Sequence, residues 1–447
     1  MRTFLLLTTM ILFSQTGFTQ EKRWTLSDCI HYAVKHSQSM ERQLALNEIY
    51  KQNLIGAIIN QAPNVSASVG ANSNYGRSID YNTNTYTNVS MFSNNYGINA
   101  SAPIFSGLSY LNTTRHHSIM RKMGRERKQE MEDNISLQTM VAFYDVIYQQ
   151  AMVNLVSERL KESEESLRKM QQMESLGMKG KADLAEAEAK KASDQYNMVR
   201  QQNRLRTMIL ELKRVMFFPV EEELEIDASM PEILLAQKLS DDVSSIYESA
   251  KENLPAMKAL NFQLQGAKAE YAASKGTLFP SLSISAGANT GYSSTRLDNN
   301  GQKVSFENQF KDNIGKYVGF SLSIPLLNNN ILGTRARISK QNYHIAQVTY
   351  NEDMRRLQNE IQQAALDMEG AAEEFIQAQL REKSTDLAYS LNQLKYEQGL
   401  LSIIELYSSS NQLLQAKAEK ISAQITYIVK KRLVDYYRDG VVNIDNL

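Results

Sequence analysis

A single cysteine, Cys29, occurs in 447 residues, which excludes an intramolecular disulfide framework and a thiolate metal cluster. Proline is also scarce. Seven occur, at Pro63, Pro103, Pro219, Pro231, Pro255, Pro280 and Pro325, so the long stretches after Pro103 and Pro325 contain none except Pro219. Uninterrupted helix needs that absence, because an internal proline removes a hydrogen bond and clashes with the preceding turn. There is no net charge: 49 Lys plus Arg balance 49 Asp plus Glu, and nothing points to nucleic acid or an acidic substrate. Past the N-terminus no apolar run reaches the length of a membrane helix, and mean hydropathy is -0.41. If this chain spans a membrane, strands must do it.

Catalytic and metal signatures are missing too. His31, His36, His116, His117 and His344 never make an i, i+4 ligand pair, and no nucleophile-and-base arrangement or phosphate-cradling glycine loop is present. We expect no enzyme, no cofactor and no metal site. Met170, Met173 and Met178 raise soft-metal transport, but methionine more often fills irregular helix seams.

What is present begins with one positive charge and a short apolar core over Met1 to Phe13, followed by Ser14 to Gln20. That is the layout of a cleaved secretory leader (1–20), cut near Thr19 or Gln20. Leu26-Ser27-Asp28-Cys29 resembles a lipoprotein box, but Asp28 is poorly suited to it, and Glu21-Lys22-Arg23 separates it from the apolar core. A small core cysteine in a helix is the better reading.

The remainder is a duplication. Ala33, Met40 and Pro63 recur as Ala250, Met257 and Pro280 at one constant offset; Pro103 and Gly177 recur as Pro325 and Gly399 at an offset about five residues larger. The slippage falls between the paired prolines, as expected of loop tips. We divide the chain into repeat 1 (21–218), a linker (219–242), repeat 2 (243–440) and a tail (441–447).

Between the paired prolines, at about 63–104 and 280–326, Ser, Asn, Gly, Tyr and Thr replace the Glu, Gln, Lys, Leu, Met and Ala of the rest, and helical periodicity gives way to alternation. Leu282, Ile284, Ala286 and Ala288 alternate with serines and Gly287; Val318, Phe320, Leu322 and Ile324 alternate with Gly319, Ser321 and Ser323. In the first copy Val65, Ala67 and Val69 return through Ile98, Ala100 and Ala102. Each segment reads as a strand pair of a length suited to a tilted bilayer crossing. Tyr75, Tyr81, Tyr86, Phe92, Tyr96, Tyr292, Phe306, Phe310 and Tyr317 fit an interfacial girdle. The edge of a soluble β-sandwich is the competing reading, weakened because the second face is Ser/Gly rather than charged.

Four strands cannot close a barrel, and open edges in lipid are costly, so copies must pool strands. Two copies give a barrel filled by side chains and three leave an aqueous passage; we favour three. In the helical parts, Leu137, Val141, Tyr144, Tyr148, Ala151 and Leu155 step by four and three, as do Ile361, Ala365, Met368, Ala372 and Phe375. That spacing predicts coiled-coil seams. A helix from about Asn112 to Glu174 would run roughly 90 Å.

Trp24-Thr25-Leu26-Ser27-Asp28-Cys29-Ile30 with Tyr32-Ala33, the paired approaches to each hairpin and the Gly177 and Gly399 segments together resemble the outer membrane efflux protein (TolC-like) family over nearly the whole mature chain. The resemblance implies a mainly α protein with membrane β: two tandem repeats, each of long coiled-coil helices plus a transmembrane β-hairpin. It implies a homotrimer forming a 12-stranded β-barrel in outer-membrane lipid and a periplasmic α-barrel. The partners implied are a periplasmic adaptor protein and an inner-membrane pump of RND, ABC or MFS type, in an efflux or type I secretion system of a Gram-negative bacterium. Asp183, Tyr396 and Glu405 fall where the family's tunnel-closing network and inner carboxylate ring lie. Ser408 stands where a second acidic ring is expected, so the cation block should be weaker. Gly177, Met178, Gly399 and Leu400 match the tips offered to adaptor hairpins. Against these roles, Ser402-Ile403-Ile404-Glu405 also reads as a capping box and Asp183 as a dipole partner. The rival for the whole chain is a soluble periplasmic coiled-coil adaptor or scaffold.

Overall fold

The computed structural model describes residues 23–79, 84–230, 236, 242–326 and 330–442. The expected leader, Tyr81 of the aromatic set and Pro231 lie outside the described residues, as do most of the linker beyond Met230 and the last five residues.

Repeat 1 runs α1 (Leu26–His36), α2 (Gln38–Ile59), β1 (Asn64–Ile79), β2 (Tyr86–Ser106), α3 (Ser109–Ser175) and α4 (Lys181–Met216). Repeat 2 runs α5 (Val243–Asn253), α6 (Pro255–Gly276), β3 (Ser281–Ser293), a short α7 (Phe306–Asp312), β4 (Gly315–Ser323), α8 (Ile331–Glu397) and α9 (Ile403–Asp439). The duplication holds at element level: α1 and α5 each have 11 residues, α2 and α6 each 22, and α3 and α8 each 67. It holds in hydrogen-bond register as well. Asn64 pairs with Ser101 in the first hairpin, and their repeat partners Ser281 and Ser323 pair in the second.

Local chemistry places the boundaries. Thr25 and Asp28 form a capping box at α1, with the Asp28 backbone N–H donating to Thr25 Oγ1 at 3.2 Å and the Thr25 N–H to Asp28 Oδ2 at 3.2 Å. Ser37 caps α2, while Pro255 opens α6 at a position where no N–H is needed. At 67 residues, α3 and α8 are each about 100 Å long. Gly107 (φ +58°) turns β2 into α3, where a Cβ would lie 2.2 Å from the Gly276 carbonyl oxygen; both the dihedral and the close approach need glycine.

The four strands form one antiparallel sheet in the order β1-β2-β3-β4. Paired residues share a face, so the register sorts the alternating sequence. Val65, Ala67 and Val69 lie beside Ala100, Ile98 and Tyr96; Ala100 lies beside Ala286, and Ala286 beside Val318. The opposite face carries Ser66, Asn99, Gly287 and Tyr317, and the Tyr317 hydroxyl donates to Asn99 Oδ1 at 2.9 Å. One face is therefore apolar through the middle of the sheet, with Arg77, Asn94 and Lys316 toward the tips, and the other carries mainly small and polar residues. β2 continues past Pro103, where a register shift before Phe105 absorbs the missing donor.

The second tip departs from a plain hairpin. β4 starts at Gly315 opposite Asn289, which leaves the end of β3 beyond Asn289 paired with β2 on one edge and with no strand on the other. There α7 substitutes: the Gln309 side chain accepts from the Ser293 N–H (2.9 Å) and donates to its carbonyl (3.0 Å), and Asn313 Nδ2 donates to the Gly291 carbonyl (2.7 Å). Phe306 and Phe310, expected as girdle residues, sit on α7 and pack against Tyr292 and Tyr96 on the apolar face. Sequence alternation could not show this, because amide side chains here do the work of a strand.

Each repeat has its own core where short and long helices meet. Cys29, Phe143, Ile147, Leu212 and Met216 centre one; Ile246, Ala250, Ile361, Met368 and Phe375 centre the other. Burial pushes the Cys29 thiol up to about 12, and its position inside α1 leaves no room for an acyl chain. A strip of the linker is tied to the start of the chain, the Trp24 N–H donating to Glu225 O (2.8 Å) and the Asp227 N–H to Trp24 O (2.9 Å). All five residues of the expected second seam, Ile361 to Phe375, are buried. In the first, Val141 is exposed while Met140, Phe143 and Ile147 are buried, because α3 is packed by α1, α4 and α9 together and a wider stripe than a two-helix seam is covered.

Between the repeats, buried Asp133 on α3 accepts from Gln129 (3.1 Å) and from the Tyr436 hydroxyl on α9 (3.4 Å). Desolvation pushes its carboxyl up to about 6, so the neutral acid suits the fold. The stability this gives is present below the unfolded value of about 4 and is lost as pH rises through about 6. Asp133→Asn should raise the melting temperature at pH 7.5, by up to about 2 kcal/mol of stability, with the gain vanishing near pH 4. Paired thermal scans at the two pH values check this.

Candidate periplasmic gate and helix tips

The turns α3–α4 and α8–α9 are built alike. Gly177 and Gly399 take φ +71° and +77°; the Met178 N–H reaches Met173 O at 2.8 Å, and the Leu400 N–H reaches Lys395 O at 2.9 Å. These are Schellman closures, which require the left-handed residue that glycine supplies. They leave Leu176, Met178 and Leu400 strongly exposed at the tip. Such side chains on a closed, rigid turn form an apolar knob that another protein can cover.

Beyond the turns, the two carboxylates are held differently. Glu405 completes a capping box: its Oε2 accepts from the Ser402 N–H (3.0 Å) and hydroxyl (2.8 Å), while its own N–H donates to Ser402 Oγ (3.3 Å). Those bonds hold its carboxyl below the usual range. Asp183 accepts only from the Gly180 N–H, at 3.3 Å, since glycine offers no hydroxyl. Tyr396 is half-buried, with Lys179 Nζ 5.5 Å from its ring centre. It packs on the small cluster of Met170, Ala187 and Ile403. Burial pushes its phenol up, with smaller contributions from Tyr407 and from Asp183. The fold therefore brings Asp183 within electrostatic reach of Tyr396, while the Glu405 carboxylate is engaged by its own cap. Ser408 is exposed on α9.

One feature of this region is invisible in the sequence. Asp194 on α4 is buried between Lys190 Nζ (2.7 Å) and Arg159 Nε on α3 (3.8 Å), and both cations reach Asn411 Oδ1 on α9 (3.4 and 3.3 Å). Burial lowers the Lys190 pKa, against the pull of its bond to Asp194. The i, i+4 spacing of Lys190 and Asp194 reads as an ordinary solvated pair. Only the packing of three helices shows it to be a buried polar tie between the repeats.

Among the described residues no helix is long and apolar enough to cross a membrane, and no group of three or more His, Cys, Asp or Glu is placed to hold a metal.

Residues 246–429 match the model of the family described as Outer membrane efflux protein. No curated protein matches the chain in sequence. Solved structures match its fold. The outer membrane protein VceC of Vibrio cholerae gives a TM-score of 0.77 at 13% identity over 94% of this chain and 97% of its own. The CmeC outer membrane channel of Campylobacter jejuni gives 0.78 at 15% over 94% and 87%. The open state of the MtrE outer membrane channel of Neisseria gonorrhoeae gives 0.75 at 16% over 94% and 91%. The second repeat is thus similar in sequence to the outer membrane efflux proteins, and the whole chain shares the fold of these outer membrane proteins and channels.

Removing Asp194 would take from Lys190 its 2.7 Å carboxylate and leave buried Arg159 with Glu162 alone, at 3.6 Å, a loss of up to about 3 kcal/mol. Asp194→Ala should loosen α9 from α3 and α4, seen as faster amide exchange in these three helices while the sheet is unchanged.

Proposed function

We propose that this chain is the exit duct of a tripartite efflux or type I secretion system, set in the outer membrane of a Gram-negative-type cell and passing small molecules or proteins outward. The observation that carries this reading is the sheet. Its apolar face is left uncovered, with Val65, Val69, Ile98, Val318, Phe320 and Leu322 all exposed, its other face is small and polar, and β1 and β4 are its outer strands, which suits part of a membrane barrel. Three copies would close a 12-stranded barrel with an aqueous lumen, their long helices forming the periplasmic tunnel beneath it. The rival soluble adaptor would have to leave that apolar face in water.

The partners follow from the same geometry. Gly177, Met178, Gly399 and Leu400 form the end of each tunnel wall, and Met178 and Leu400 offer the apolar contact for a periplasmic adaptor linked to an inner-membrane pump. Energy comes from that pump. Asp183 and Tyr396 form the closing contact at this end. Threefold symmetry turns Glu405 into a ring of three carboxylates that favours cations, and Ser408 supplies no second ring.

Purified protein in a planar bilayer should conduct ions, and the cells should yield it in the outer-membrane fraction; recovery from the soluble periplasm overturns the channel reading. Asp183→Ala should raise conductance by weakening closure. Glu405→Ala should lower cation preference and also weaken the capping box at the start of α9. Unchanged conductance and selectivity in both variants would reduce these residues to helix caps.

A further inference from the structure

The four strands together contain two charged residues, Arg77 on β1 and Lys316 on β4. Register places both on the apolar face. Arg77 stands two residues before the end of β1 and Lys316 one residue into β4, so each lies close to the tip of its own hairpin. The polar face carries no charged residue among the described strands. Strand charge is thus turned away from the side that would line a lumen, and it is all positive.

The short helix α7 lies on the same face. Its Gln309 and the following Asn313 are bonded to the open edge of β3, and Thr290 Oγ1 donates to the Phe310 carbonyl at 2.7 Å, so the helix is fixed against the strands. Phe306 and Phe310 pack on each other and on Tyr96 and Tyr292, with ring centres 5.4 to 6.2 Å apart. They nonetheless remain 46% and 38% exposed, and Leu297 and Ile314, on either side of α7 in the chain, are exposed too. Glu307, Asn308 and Lys311 of the helix are exposed beside them. Aromatic rings and charges presented together suit the headgroup level of a bilayer, not its hydrocarbon interior.

We propose that the hairpin tips form a lipid-binding collar, in which α7 lies in the outer-leaflet interface on the lipid side of the sheet and Arg77 and Lys316 take the phosphates of anionic lipids. The inference rests on the membrane-barrel reading above. Two features name the occupant. Exposed Val318, Phe320 and Leu322 lead through Lys316 and Ile314 to α7, so the lipid that covers the strands reaches the helix. The positive strand charge complements a phosphate-bearing surface, and Arg77 Cζ lies 4.9 Å from the Tyr86 ring centre, which holds the guanidinium at the level of the aromatic residues. The carboxylates of the second tip, Asp298, Glu307 and Asp312, belong to the connection and not to the strands; Asp298 accepts from the Asn300 and Gln302 N–H groups of its own turn at 2.9 and 2.8 Å. The insertion between β3 and β4 is therefore no lid over a lumen. It is an outer buttress that fixes how deep the sheet sits and favours anionic lipid around it.

The test is tryptophan quenching in the full chain, reconstituted in phosphatidylcholine vesicles after the only tryptophan is removed by Trp24→Phe. Phe306→Trp and Phe310→Trp, made separately and required to size in detergent like the parent, should be quenched by lipid brominated near the headgroup and little by iodide. Phe320→Trp, on the strand face, should be quenched by lipid brominated near the chain ends. If Phe320→Trp responds to lipid while both α7 positions respond only to iodide, the collar falls and the membrane sheet stands. If Phe320→Trp ignores brominated lipid, the membrane reading falls and takes the collar with it. A minor fraction of brominated phosphatidylglycerol should quench Phe306→Trp more strongly than the same fraction of brominated phosphatidylcholine. Adding Arg77→Gln and Lys316→Gln should make the two lipids equal. Equal quenching before those changes, or a preference that survives them, overturns the headgroup assignment.

Discussion

Every backbone N–H and C=O of a strand in lipid must find a partner, since none is supplied by the solvent. This requirement governs the whole architecture. Within the chain it is met by the antiparallel ladders and, where β4 stops short, by the side-chain amides of Gln309 and Asn313. At the outer edges of β1 and β4 no strand among the described residues meets it. The short helices before each hairpin and the long ones after it tie the sheet to two helical cores, so whatever satisfies the strand edges in the proposed ring also sets how its helices are brought together.

Duplication makes that solution economical. One unit of short helix, hairpin and long helix is used twice, with the same helix lengths and the same strand register. The copies differ where their surroundings differ. Repeat 2 places glycine and alanine on α6 where α3 approaches closely, whereas repeat 1 places Ile49 and Ile59 at the matching positions of α2. The second strand tip carries α7, which has no counterpart among the described residues of the first. Two buried polar groups join elements of the two repeats: Asp133 with Tyr436, and Asp194 with Lys190 and Arg159, whose cations reach Asn411 on α9. An unpaired group is costly there and the fit correspondingly specific.

At the helix tips the two carboxylates are held differently. Ser402 holds Glu405 in a capping box, which fixes the start of α9 and keeps the side chain ionised. Asp183 has no hydroxyl to bind, because its cap residue is Gly180, and it is the freer of the two to act on Tyr396. The repeat partners have thus diverged through the residue three positions before them.

Much of this was legible in the sequence because the patterns concerned are local. Scarce proline and abundant helix formers announced the long helices; strict alternation announced both hairpins and their faces; Gly177 and Gly399 announced the tips; the offset between repeats located the loop insertions. The sequence by itself determined element types, duplication and the apolar and polar strand faces, since each depends on neighbours within a few residues. Only the tertiary structure decided which helix faces are covered, why Val141 lies outside the seam, that α7 completes an edge of β3, and that Asp194 is a buried tie rather than a surface charge. Those outcomes depend on groups far apart in the chain, whose approach is set by the joint packing of several helices and leaves no periodic trace along any one of them.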